Sequence, residues 1–69
     1  MDKDVAISIL ALSKSLDGVI AKMFDEVERI DDQALKAKFK RAVGDLMGYV
    51  ARGLIFPIED IYPDIKVDH

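Results

Sequence analysis

Apolar residues recur every three or four positions along most of this chain, and the rhythm breaks once before two prolines end it. Val5, Ile9, Leu12, Leu16, Val19, Met23, Val27 and Ile30 follow steps of four and three with one slip near Glu26, the spacing of one face of a helix. Asp31-Asp32 interrupts the series, and Leu35, Phe39, Ala42, Val43, Leu46, Tyr49, Val50 and Leu54 resume it on a new phase. So short a break forces the two helices to lie antiparallel, as an αα-hairpin. The expected fold class is all-α: an antiparallel two-helix hairpin, helices over about 3–30 and 32–55, then a short C-terminal helix over about 57–62, in a single domain spanning 1–69. Asp2 or Asp4 can cap the first helix and the Asp31-Asp32 pair the second, because a carboxylate accepts from unpaired N–H groups at a helix start. Pro57 has no N–H and pushes Phe56 away from the α region, so the second helix should end or kink between Gly53 and Phe56. Pro63 then stops the chain, and residues 64–69 are expected to fray.

A domain of 69 residues buries too little surface to be stable without help from disulfides, a metal or a partner chain. The chain has no cysteine, and its single histidine is His69, so self-association is the expected source of buried area. The expectation is a homodimer closed into a four-helix bundle, with inner layers from Leu12, Leu16, Val19, Met23, Leu35, Phe39, Val43, Leu46 and Val50. With 51% hydrophobic and 33% charged residues the composition fits a folded helical protein. The start Met1-Asp2-Lys3-Asp4 lacks the basic region of a secretory signal, and the apolar run from Val5 to Leu12 is too short to span a bilayer. A cytoplasmic, non-membrane protein is the expectation. A net charge of -3 opposes general affinity for nucleic acid or anionic lipid.

No catalytic, cofactor or metal site is expected. Nucleophilic catalysis needs a base beside an activated nucleophile, and the only histidine is the last residue. Asp25, Glu26 and Glu28 point in different directions around a helix and cannot converge on an ion; an Asp25–Arg29 pair one turn apart is the expected use of these charges. Lys36, Lys38, Lys40 and Arg41 cluster around Phe39 and raise the possibility of nucleic-acid contact, yet they fall on two different flanks of the apolar stripe. In size and plan the chain resembles the Rop type of plasmid copy-number regulator, a dimeric helical hairpin that binds RNA loop pairs. That resemblance implies a nucleic-acid-binding dimer as the alternative function and places no site on numbered residues.

Three groups point to contact surfaces. Ala37, Gly44, Gly48 and Ala51 make a small-residue stripe on the second helix, and interior glycines cost about 1 kcal/mol each relative to alanine. Keeping both implies close approach of another helix or of the ring of Phe56 or Tyr62, the alternative being local tolerance or a kink. Ile7, Leu10 and Phe24 lie beside the first stripe, where one hairpin contact cannot cover them; a dimer interface, a different protein partner or the C-terminal segment would. In that segment Phe56, Ile58 and Ile61 are expected to fold back over the open end, with Glu59, Asp60 and Asp64 left wet. The candidate interface is therefore Ile7, Leu10, Phe24, Gly44, Gly48, Tyr49, Phe56, Ile61 and Tyr62, and the expected function is that of a small non-catalytic interaction module, a homodimeric regulator or adaptor that occupies a partner's surface.

Overall fold

The computed structural model describes residues 1–65. Helix α1 runs over Lys3–Val27 and α2 over Gln33–Val50; a widened π-helical turn, Ala51–Ile55, joins α2 to α3, Phe56–Ile61, and a 3-10 turn, Pro63–Ile65, follows. No strand occurs among the described residues. The hairpin expected from the sequence is present, with α1 ending three residues early.

Local chemistry accounts for each boundary. Asp2 occupies the cap position of α1 in extended conformation, but its side chain makes no capping bond; the Ala6 N–H donates to the Asp2 backbone oxygen at 3.0 Å. After Val27 the chain tightens, with the Arg29 N–H donating to the Glu26 oxygen and the Ile30 N–H to the Val27 oxygen, both at 3.0 Å. Asp32 caps α2, its Oδ1 accepting from the Leu35 N–H at 3.0 Å. Arg29 turns to Glu26, 3.0 Å away, and not to Asp25, because the tightened turn brings the nearer carboxylate into reach.

Pro57 explains the π turn. In a regular helix its ring would press on the carbonyl of Gly53, which would also lose its donor. Here the turn before it is wider by a residue, and the Phe56 N–H donates to the Ala51 oxygen. One extra residue relieves that clash without breaking the helix. The second arm is thus bent where a stop or kink was expected, and Pro57 sits in the first turn of α3, where a missing N–H is harmless.

The contact line between the arms runs through Ala6, Ser13, Ile20 and Val27, one heptad apart and all buried. Two apolar clusters lie along it. At the open end Ala6 and Leu10 meet Val50, Ile55 and Ile58, with Ile9, Tyr62 and Ile65 against them; beside the loop Ile20 and Val27 meet Val43, with Met23, Phe24 and Ile30 around them. Ala6 and Ser13 are small, so α1 contacts the bent end of the second arm closely. The C-terminal segment does fold back, but Ile55 and Ile58 enter the core while Phe56 and Ile61 stay exposed, and Glu59 is buried where a wet side chain was expected. The π turn causes this exchange, since the extra residue rotates everything after it.

Two polar ties hold the fold-back. The Tyr62 hydroxyl donates to the Met1 carbonyl at 2.5 Å, and Lys3 pairs with Asp64. The hydrogen bond from Lys3 holds the Asp64 carboxyl below its ordinary value, so this tie is present at neutral pH and is lost as acid titrates the folded form. Pro63–Ile65 is accordingly an ordered turn, where fraying was expected from residue 64; residues 66–69 lie outside the described ones.

Leu10, 3% exposed, should show the cost of opening this core: Leu10→Ala is expected to lower stability by roughly 2–4 kcal/mol in chemical denaturation. Asp32→Ala should cost about 1 kcal/mol through loss of the cap alone.

Candidate interaction face

Val5, Leu12 and Val19 each precede a contact-line residue of α1 by one position, and Leu35, Ala42 and Tyr49 precede Lys36, Val43 and Val50 of α2 in the same way. One residue is about 100° around a helix. In antiparallel helices that rotation carries both sets to the same side of the hairpin. The coordinates agree: Val19 and Met23 of α1 line an open groove together with Phe39 and Val43 of α2, with Lys22 and Glu26 also on its walls.

This side of the molecule is apolar and bare. Val5, Leu16, Val19, Leu35, Leu46 and Tyr49 are all exposed, Leu12 is 68% exposed and Phe39 45%. Most of the residues expected as inner layers are therefore outside the hairpin, whereas Val43 and Val50 are inside it. The whole chain has an accessible surface of 5209 Å², against about 4,300 Å² for a compact folded chain of this mass. Its radius of gyration is 14.8 Å, against about 11 Å for a compact domain of this length. Both excesses follow from the elongated shape of a single hairpin, 46 × 19 × 16 Å.

The expected interface residues scatter over the surface. Leu10 lies in the open-end cluster under Ile55 and Ile58, so the C-terminal segment is its cover, and Phe24 packs against the loop-end cluster; Ile7 alone of the three is exposed. Side-chain size favours the leucines as the contact line, but the small Ala6 and Ser13 let that line fall beside Leu10. Tyr62 is half-buried against the open-end cluster. Tyr49, Phe56 and Ile61 are exposed, and the Tyr49 ring lies over Gly53, its Cε1 3.5 Å from where a Cβ would stand.

The glycine stripe receives no ring. A methyl group at Gly44 would meet nothing within 4 Å, and at Gly48 its nearest neighbour would be the Arg52 guanidinium, 2.8 Å away at Nη1. The grooves expected for Phe56 or Tyr62 are absent within the chain because those residues follow the bend to the open end. Gly44 directly follows Val43 in sequence, which turns it to the side of α2 opposite Ala42 and the apolar face.

The basic cluster is divided, as its phase requires. Lys40 pairs with Glu28 at 3.2 Å and Lys36 approaches the same carboxylate at 3.9 Å, so two of the four cations share an anion across the hairpin. Lys38 and Arg41 lie on the other flank, without an ion pair among the described residues.

Among the described residues no group of His, Cys, Asp and Glu is placed to hold a metal ion, and no helix is long and apolar enough to cross a membrane. Glu59 has one carboxylate oxygen, Oε2, that is buried without a hydrogen-bond partner. Compared with known protein families, curated proteins and solved structures, the chain matches none.

Gly44→Ala reports on whether the small-residue stripe is a contact surface. With open space at that position, helix propensity governs, and the variant should gain about 0.5–1 kcal/mol in chemical denaturation. A loss of stability would place another backbone against Gly44.

Proposed function

We propose that this protein is a non-catalytic interaction module, homodimeric and cytosolic, that regulates or adapts a partner protein by occupying its surface. The observation that carries the reading is the bare face through Leu12, Leu16, Val19, Leu35, Phe39 and Leu46. Contiguous apolar patches of this extent mark docking surfaces in soluble proteins, and a second hairpin laid on this one completes a four-helix bundle with its largest side chains inside. The surplus surface supports a dimer: about 900 Å² above the compact value compares with the roughly 800 Å² that each partner buries in a standard interface.

Binding of nucleic acid, the alternative, would draw on Lys36, Lys38, Lys40 and Arg41. Sharing of Glu28 by Lys36 and Lys40 and the net charge of -3 both weigh against it. Titration with mixed RNA and DNA in low salt should therefore show no association, and tight binding that weakens linearly in log salt would favour the alternative.

Light scattering after size exclusion is the main test. At micromolar concentration the expected mass is about twice 7.7 kDa, and Phe39→Glu should return the chain to 7.7 kDa and lower its helical circular dichroism and thermal midpoint, because the new carboxylate would be buried unpaired in the dimer and the lone hairpin lacks the second layer. A mass of 7.7 kDa for the unaltered chain at high concentration, with cooperative unfolding, would rule the reading out.

A further inference from the structure

We infer that the second copy docks with its loop at the same end of the bundle, so that α1 of each protomer packs against α2 of the other. The inference rests on the homodimer proposed above and concerns its orientation. A two-fold axis can relate two hairpins placed face to face in two ways. With the axis parallel to the helices, the loops share an end and each α1 lies on the partner's α2. With the axis across the helices, the loops lie at opposite ends and each helix lies antiparallel on its own copy.

The margins of the face distinguish these arrangements. Along α2 and its extension the residues Lys38, Asp45 and Arg52 are spaced by heptads. Lys38 and Asp45 directly precede Phe39 and Leu46 and so stand about 100° outward from them. Along α1 the corresponding margin is Ser8, Ser15 and Lys22, each directly preceding Ile9, Leu16 or Met23. Ser15 lies twelve residues before the end of α1, and Asp45 twelve residues after the start of α2. At 1.5 Å per residue both are about 18 Å from the loop, close to the middle of a molecule 46 Å long.

Opposite-end docking therefore sets Asp45 beside the partner's Asp45 near the axis. Lys38 and Arg52, seven residues to either side, then face each other twice, and every facing charged pair on this margin is of like sign. Same-end docking brings together residues equidistant from the loops. Asp45 then meets the partner's Ser15, Arg52 meets the partner's Ser8, and one kind of like pair remains, Lys38 with the partner's Lys22, with Glu26 one turn along α1 from that lysine. The faces also fit: Val19 comes opposite the partner's Ala42, and Leu12 opposite the partner's Tyr49. Charges flanking an apolar seam choose orientation far more than they add affinity, and a self-repelling margin acts against the wrong arrangement.

Cysteine pairs read the orientation directly, since the chain has no cysteine of its own and both Ser15 and Asp45 are exposed. Ser15→Cys, Asp45→Cys and the double variant are each checked by light scattering and then treated with a short bismaleimide. The expected result is a covalent dimer from the double variant and monomer from either single one. Self-cross-linking of Ser15→Cys, which keeps the Asp45 margin, overturns the inference in favour of opposite-end docking. A dimeric mass with no cross-link from any variant overturns it by placing the contact on another face, and a monomeric mass defeats the dimer itself.

Discussion

Two helices in contact along one line can cover only one stripe of each, and every larger feature of this protein follows from having two stripes per helix. The line is filled by Ala6, Ser13, Ile20 and Val27 on α1 and by Val43 and Val50 on α2, all small or branched. The longer leucines and Phe39 occupy the neighbouring stripe. Among the described residues no large side chain is fully buried within one chain, so the hairpin alone has a seam but no deep core. Interiors gain their stability from dense packing on all sides of a residue, and that packing requires a second layer here.

Pro57 shapes the opposite end. The π turn that accommodates it rotates the following helix, so Ile55 and Ile58, and not Phe56 and Ile61, close over Ala6 and Leu10. Tyr62 and Asp64 then reach Met1 and Lys3. The proline and the π turn that accommodates it thus bring the C-terminal segment to the chain's N-terminus and determine which aromatic residues stay in solvent.

The helical plan was legible in the sequence because period and punctuation agree: apolar steps of three and four, Asp32 as a cap, Pro57 as a bend. The face of each helix that meets the other was not. Periodicity marks a broad apolar arc on α1 from Val5 round to Leu10, and size drew attention to its leucines, while the contact is decided by how closely backbones approach at Ala6 and Ser13. Gly44 and Gly48 were informative as a departure from helix propensity, yet their neighbours depend on the bend, whose π geometry leaves no sequence signal beyond the proline. Buried Glu59 was illegible for the same reason, being carried inward by a rotation that local pattern does not encode.

Thermal unfolding followed by circular dichroism at two protein concentrations tests most directly whether a second copy supplies the missing layer. Folding coupled to dimerisation obeys mass action, so the midpoint should rise by several degrees between about 2 and 200 µM chain, with a single transition. A midpoint independent of concentration over that range, in a cooperative transition, would contradict the account and require the apolar face to remain bare in the stable protein.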